Sequence, residues 1–142
     1  QGKAPIVYGD GEQRRCFSYI DDCLSCMIPM LDQENLNKQI INVGPDEEFV
    51  TVNKVVEICS NITGSNLEPI HMADRPQEVK HATCSADKAR KLLNYETKVS
   101  LNEGIKQTYE YIKKRGTKDF DYRLSIEIDN DLTPKTWKNK EI

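Results

Sequence analysis

The chain has 142 residues, of which 37% are apolar and 30% are charged, and its formal net charge is −3. This length is typical of one domain, and the composition differs from the weakly apolar, highly charged pattern of disordered chains. The small negative charge argues against a nucleic-acid-binding protein, which usually has a basic face. No apolar run approaches the ~20 residues that cross a bilayer, so we expect no membrane association.

The five cysteines, at positions 16, 23, 26, 59 and 84, are odd in number and irregularly spaced. This pattern favours a reducing compartment over a disulfide framework, and we expect a cytoplasmic protein. Cys23 and Cys26 form a C-x-x-C pair. A zinc site needs about four ligands, and the sequence holds no second C-x-x-C or H-x-x-x-H. We therefore predict no metal, and expect these cysteines to pack in a helix as small apolar residues.

The first 44 residues predict two short strands. Residues 5–9 (PIVYG) read as a strand that glycine ends, and the chain turns at 9–11. It is expected to be extended again over 16–20. Residues 39–44 (QIINVG) are expected to form the second strand, with a glycine at its end.

A helix is predicted between these strands. Asp21 or Asp22 can cap its N-terminus, and the helix is expected to run to about Leu31. Pro29 lies inside this stretch and should kink or shorten the helix, because proline has no backbone N–H to donate.

The clearest helix of the first half begins after Thr51, which can cap it, and ends at Gly64. Its apolar residues recur at helical spacing and form one stripe: Val52, Val55, Val56, Cys59 and Ile62. Residues 67–72 (LEPIHM) are expected to form a third strand, with Pro69 marking an edge.

The second half predicts a loop and two helices. Residues 73–84 are polar and lack helical periodicity, so we expect a loop. Ser85 is expected to open a short helix whose inward residues are Ala86, Ala89, Leu92 and Leu93. Ser100 and Glu103 form a capping box, and the helix that follows should end at Gly116. Its inward face is expected to carry Leu101, Ile105, Tyr109 and Ile112.

Three short strands and about four helices predict an α/β fold, or α+β if the chain is a fragment. A core of this size is marginal by surface-to-volume scaling. We therefore expect the chain to be part of a larger protein, with apolar surface left exposed. Residues 117–142 are treated as a C-terminal extension, in which 120–128 and 132–137 are possible packing segments and Trp137 a possible anchor.

Two arginines are the strongest candidates for ligand binding. Arg15 follows the glycine turn 9–11, where the backbone can approach a ligand closely, and Arg75 lies just after the third predicted strand. Guanidinium groups bind phosphate oxygens two at a time, so two arginines from separate loops could clamp a diphosphate. The alternative is that both are solvated loop residues. The glycines at 9 and 11 are no dinucleotide fingerprint, because the turn leads into a strand.

Four segments resemble, in order and spacing, the C-terminal portion of extended short-chain dehydrogenases/reductases, the NAD-dependent nucleotide-sugar epimerases, dehydratases and decarboxylases. The resemblance covers about residues 5–116, and it is carried by the sequences VYGDGEQRRCFSYIDD, INVG, RPQEVKHATCSADKARKLLNY and SLNEGIKQTYEYIKKRG. It implies the small substrate-binding portion of a Rossmann-type enzyme.

The resemblance also implies roles for individual residues. In the family, the arginine of a Gly-x-Gly-x-x-x-Arg turn and the arginine of an Arg-Pro-x-Asp/Glu loop contact the substrate's diphosphate; here these are Arg15 and Arg75. Glu78 falls where an acid contacts the ribose, and Tyr8 and Gln13 line the nucleotide end. The chain departs from the family pattern at Cys16 and Ser85, where aspartate is usual.

The family's glycine-rich NAD loop and its catalytic Tyr-x-x-x-Lys set are expected upstream of residue 1. Tyr109 and Lys113 match the latter spacing, but Tyr109 lies on an apolar helix face and we expect it to pack. No catalytic or cofactor-binding residue is therefore predicted within this chain.

The sequence thus predicts that residues 1–116 are the nucleotide-sugar-binding half of an NAD-dependent epimerase/dehydratase that transiently oxidises its sugar. NAD would be bound by the N-terminal part, and the full-length enzyme is expected to be a homo-oligomer. The competing hypotheses are a non-catalytic nucleotide-binding or assembly module, and a small α/β domain that has no ligand.

Overall fold

The computed structural model describes residues 2–118 and 129–140. The strands are β1 (Ile6–Tyr8), β2 (Arg14–Arg15), β3 (Val50–Thr51), β4 (Ile70–Met72) and β5 (His81–Ala82). The α-helices are α1 (Ile20–Met27), α2 (Val52–Thr63), α3 (Asp87–Leu93), α4 (Leu101–Arg115) and α5 (Lys135–Lys138). Short 3₁₀ turns follow α1 at Pro29–Asp32 and Glu34–Leu36.

The strands form two small sheets. β1 pairs in parallel with β4, with Tyr8 opposite Met72. β2 lies between β3, to which it is antiparallel, and β5, to which it is parallel. These pairings bring the end of β1 beside the loop after β4, and they place Arg15 opposite Ala82.

The α/β class is confirmed, but the strand predictions need correction. Strands β1 and β4 lie within the predicted ranges 5–9 and 67–72. The strand predicted at 39–44 was wrong: within the described chain this run pairs with no strand, and Ile41 and Val43 instead pack against the core cluster. The two-residue strands β2, β3 and β5 were not predicted, since so short a segment has no detectable periodicity.

The termini of α2 and α4 follow the predicted capping chemistry. Thr51 Oγ1 accepts a hydrogen bond from the Lys54 N–H at 3.1 Å, and α2 ends at Gly64, whose φ is +68°. Ser100 Oγ accepts from the Glu103 N–H at 3.3 Å, and Gly116 follows the end of α4. Both helices are therefore bounded by local sequence.

Helix α1 begins earlier than predicted, because its aspartates do not cap it. Tyr19 occupies the N-cap position. Asp22 is instead buried and accepts hydrogen bonds from the backbone N–H groups of Lys98 and Val99, at 3.1 and 3.0 Å. This carboxylate fixes the loop before α4 to α1. The helix ends at Met27, and Pro29 opens a 3₁₀ turn, so the prediction that proline shortens the helix is confirmed.

The core centres on α3. Helix α3 starts at Asp87, two residues later than predicted, although Ser85 Oγ does accept a hydrogen bond from the Asp87 N–H at 3.1 Å. Ala86, Ala89 and Leu93 are buried, as predicted. The buried cluster consists of Cys26, Leu36, Ala86, Ala89, Leu93 and Tyr95. Only six residues form it, which agrees with a marginal core.

The C-x-x-C pair packs as expected. Cys23 is half-buried and Cys26 is buried within the core cluster, and both are free thiols. Burial raises the pKa of the Cys26 thiol, because the thiolate loses hydration.

Apolar surface remains exposed along α1 and the turn after it. Five large side chains there are 38–83% exposed: Ile20, Leu24, Met27, Ile28 and Leu31. The expectation of uncovered apolar surface is confirmed for this face. Trp137, which was expected as a possible anchor of the extension, is 46% exposed, so it is not buried in the core and its anchoring role stays a prediction. The predicted packing segment 120–128 lies outside the described residues.

Among the helices that the structure describes, none combines the length and the apolar character needed to cross a membrane.

Candidate functional site

The glycine turn after β1 is shaped by neighbouring side chains. Gly9 and Gly11 have φ values of +70° and +73°, which side chains rarely adopt. A Cβ at Gly9 would collide with the Asp74 carboxylate, and a Cβ at Gly11 with the Asn53 carboxamide. Side chains of the protein thus lie beside both glycines, and the close approach of a ligand to this turn stays a prediction.

Arg75 stacks on Tyr8. Its Cζ lies 3.9 Å from the centroid of the Tyr8 ring, a cation–π contact that the β1–β4 pairing makes possible. The Arg75 Nε is buried and has no hydrogen-bond partner among the described residues. A buried N–H without a partner costs about 1–3 kcal/mol, so this guanidinium keeps unused hydrogen-bonding capacity.

A cavity of about 310 Å³ opens at this arginine. Its volume is within the range of small-molecule sites, roughly 300–1,000 Å³. One wall comes from the ends of β1 and β4 and consists of Tyr8, Met72, Ala73, Asp74, Arg75 and Pro76. The other wall comes from the C-terminal extension and consists of Asp131, Thr133, Pro134, Lys135 and Asn139.

Arg15 forms an ion pair with Glu78. Arg15 Nη2 lies 2.7 Å from Glu78 Oε1, and Arg15 Nη1 donates to the Arg14 carbonyl at 2.7 Å. The two side chains are 26% and 29% exposed, while Arg14 is exposed. Of the two neighbouring arginines, Arg15 is therefore the one held in a fixed direction.

Backbone carbonyls of the Tyr8–Arg75 pair accept hydrogen bonds from Gln13 and Glu78. The Gln13 side chain is nearly buried, and Nε2 donates to the Tyr8 carbonyl at 3.1 Å. On the other side, the Glu78 N–H donates to the Arg75 carbonyl at 3.3 Å. Four of the five predicted residues thus form two pairs, Tyr8 with Arg75 and Arg15 with Glu78, and Gln13 bonds the backbone of the first pair. Tyr8 and Arg75 line the cavity, and Arg15 and Glu78 are bonded to each other.

Sequence reasoning missed the second wall of the cavity. Residues 131–139 carry no motif, and their only local signals are the Thr133-Pro134 turn and the short helix α5. Their position depends on how the extension folds back, which is a long-range property that periodicity does not report.

Tyr109 and Lys113 lie elsewhere. Tyr109 is half-buried and lines a separate cavity of about 480 Å³ beside α2, together with Val52, Val55 and Val56. Lys113 Nζ lies 5.7 Å from the centroid of the Tyr109 ring. This position supports the interpretation of Tyr109 as a packing residue.

Comparison with known proteins gives the family. The family model described as GDP-mannose 4,6 dehydratase matches residues 1–108, which include all five site residues. The chain belongs to this family. It is accordingly a member of the extended short-chain dehydrogenase/reductase group of nucleotide-sugar epimerases and dehydratases, so the resemblance inferred from the sequence is confirmed.

Individual relatives differ in their reactions. The chain is 33% identical to a UDP-glucuronate 4-epimerase from Thermodesulfobacterium geofontis, over 76% of this chain and 33% of that protein. It is 28% identical to a UDP-N-acetyl-alpha-D-glucosaminuronate decarboxylase from Bacillus cytotoxicus, over 80% of this chain and 37% of that protein.

A solved structure of the UDP-glucuronic acid 4-epimerase from Bacillus cereus, in complex with UDP-glucuronic acid and NAD, is similar in fold. The TM-score is 0.74 and the identity is 31%, covering 81% of this chain and 37% of that one. The chain thus spans about a third of the length of the relatives that it matches.

Proposed function

We propose that residues 1–116 bind the nucleoside diphosphate part of a nucleotide sugar. The observation that carries this proposal is Arg75, whose guanidinium is stacked on Tyr8 and lines a cavity, and whose buried Nε–H has no partner among the residues that the structure describes. Guanidinium donors match phosphate oxygens in geometry and charge. The family membership and the UDP-sugar in the similar structure support the same ligand class.

The other site residues complete this proposal. Arg15 binds the diphosphate with Arg75, and Tyr8 and Gln13 line the nucleotide end. Glu78 contacts the ribose. Its Oε1 atom bonds Arg15, but a carboxylate has about four acceptor positions, so it can orient Arg15 and still accept a ribose hydroxyl.

In the full-length protein, this half would position the sugar for an NAD-dependent epimerase/dehydratase that transiently oxidises it. Binding energy from the remote nucleotide then orients the reacting carbon. NAD supplies the hydride chemistry, and its binding would belong to another part of the protein, since the chain has no Gly-x-x-Gly-x-x-Gly loop. The relatives do not separate epimerisation from decarboxylation.

Two further properties are proposed for the whole protein. A cytoplasmic location is supported by five free thiols, which fit a reducing compartment. Homo-oligomerisation is proposed for the full-length enzyme. The exposed apolar face of α1 supports association with further protein surface.

The test is calorimetric titration of the full-length protein with UDP, UMP and uridine. We expect UDP to bind more tightly than uridine, because the arginines contact its phosphates. Arg75→Ala should weaken UDP binding by about 1.5–3 kcal/mol, which is the scale of a charged hydrogen bond. Arg115→Ala is the matched control, since Arg115 is exposed on α4 and also lies over a tyrosine ring, that of Tyr111.

Equal affinities for UDP and uridine would contradict the diphosphate proposal, as would equal dissociation constants for Arg75→Ala and Arg115→Ala. Saturable UDP binding without turnover of any UDP-sugar in the presence of NAD would instead support the non-catalytic alternative.

A further inference from the structure

The C-terminal extension contributes half of the cavity at Arg75. Asp131, Pro134 and Lys135 face the wall that carries Tyr8 and Arg75. This segment lies beyond residue 108, where the family match ends. Its residues nevertheless line the same space as the arginine that carries the proposed function.

The segment has a defined shape of its own. Asn130 Oδ1 accepts a hydrogen bond from the Leu132 N–H at 2.9 Å, and Thr133 Oγ1 accepts from the Asn130 N–H at 3.1 Å. Helix α5 follows, and an ion pair between Lys138 and Asp129 joins its end to the start of the segment. These bonds give the described part of the segment a local fold of its own.

The charges around the cavity fit a nucleotide better than a simple anion. Arg75 and Asp74 lie on one wall, and Lys135 and Asp131 lie on the other. A nucleoside diphosphate offers phosphate oxygens that accept hydrogen bonds from cations, and ribose hydroxyls and a uracil imide N–H that donate to carboxylates. Two cations and two carboxylates therefore match both parts of such a ligand.

We propose that Asp131, Thr133, Pro134, Lys135 and Asn139 form the second wall of the nucleotide site, and that Lys135, which lines the same cavity as Arg75, is an additional phosphate-binding residue. This inference rests on the proposed function, because it takes the same cavity to hold the nucleoside diphosphate. It adds a cation from a segment outside the family match.

The chain supplies a matched pair of lysines for the test. Lys135 and Lys138 lie in the same short helix α5; Lys135 lines the cavity, whereas Lys138 pairs with Asp129. UDP and uridine are titrated into the full-length protein that carries Lys135→Ala, Lys138→Ala or Arg75→Ala. Lys135→Ala should raise the dissociation constant of UDP by about threefold to tenfold, because a partly exposed lysine makes a weaker phosphate contact than Arg75. Uridine binding should stay unchanged.

The outcomes separate this inference from the proposed function. If Arg75→Ala weakens UDP binding and Lys135→Ala does not, the wall proposal is wrong and the proposed function stands. If Lys138→Ala weakens it as much as Lys135→Ala, the effect is one of general charge or of α5 stability, and Lys135 has no specific role. Tighter UDP binding in Lys135→Ala also overturns the proposal. If UDP does not bind to the unaltered protein, both ideas fail.

Discussion

Two arginines of this chain, Arg75 and Arg90, have opposite surroundings. Arg90 is bonded to three carboxylates, those of Asp46, Glu47 and Asp87. These hydrogen bonds, first that of Asp46, raise the pKa of Arg90 above its usual value. Arg75 lies against an aromatic ring and lines a cavity, and within the described part of the chain its buried Nε–H has no partner.

The difference separates a structural arginine from a candidate ligand-binding one. Asp46 also accepts a hydrogen bond from the Ala86 N–H at 2.8 Å, so the Arg90 cluster fixes the loop at 44–47 to the start of α3. Its donors are used within the protein. At Arg75 the Tyr8 ring positions the guanidinium, and the Nε–H has no hydrogen-bond acceptor among the described residues. Arg15 lies between the two cases, because Glu78 and backbone carbonyls bind its guanidinium.

The largest effect is expected from Arg15→Ala. This variant tests whether Arg15 binds the ligand, as proposed for Arg75, or has a structural role, as Arg90 does. As a diphosphate residue, its loss should weaken UDP binding by about 1.5–3 kcal/mol, the scale of a charged hydrogen bond. Titration calorimetry on the full-length protein measures this. Arg14→Ala is the control, since Arg14 is the exposed neighbour on the same strand. An unchanged UDP affinity together with a lower urea midpoint would place Arg15 with Arg90 instead.

A smaller effect is expected from Tyr8→Leu, which removes the ring under Arg75. We expect UDP binding to weaken by about 0.5–2 kcal/mol, because a cation–π contact of this strength no longer holds the guanidinium in place. Tyr8→Phe keeps the ring and should lose less. Equal losses in the two variants would show that the ring does not position Arg75, and the contrast with Arg90 would then rest on the unpaired Nε–H alone.

The local sequence was sufficient to predict those helix ends that hydrogen bonds between near neighbours in sequence fix. Thr51, Gly64 and Ser100 bound their helices through bonds to residues within a few positions, so capping rules place them well. Asp22 is the instructive exception. Its type and position predict an N-cap, but it bonds the backbone at Lys98 and Val99, about 76 residues away in sequence. Tertiary contacts of this kind override a local preference.

The candidate site residues come from the resemblance and stay predictions, whereas the pairings among them come from the structure. The resemblance named Arg15 and Arg75, and the strand pairings bring their loops together. It did not indicate that Glu78 bonds Arg15, or that the space beside Gly9 belongs to Asp74. For the second wall of the cavity, the sequence predicted only that 132–137 is a possible packing segment; that this segment lies beside Arg75 depends on the fold of the extension.

The smallest effect concerns the Arg90 side of the comparison and depends on pH. Hydrogen bonds from Arg90, and then from the Ala86 N–H, lower the pKa of Asp46 to about 2 from 3.8. A carboxyl whose pKa is lowered by folding stabilises the folded state above its unfolded pKa, and this contribution is lost as the pH falls towards 2. Asp46→Asn should therefore lower the urea midpoint at pH 7, and the difference from the unaltered protein should shrink as the pH is lowered from about 4 towards 2. The effect is modest because solvent screens the Asp46–Arg90 pair.

UDP affinity at pH 7 should not change in the Asp46→Asn variant. A difference in midpoint that is independent of pH would show that Asp46 stabilises the loop by packing rather than by charge. A loss of UDP affinity would show that the Arg90 cluster affects ligand binding, and the distinction between Arg75 and Arg90 would no longer hold.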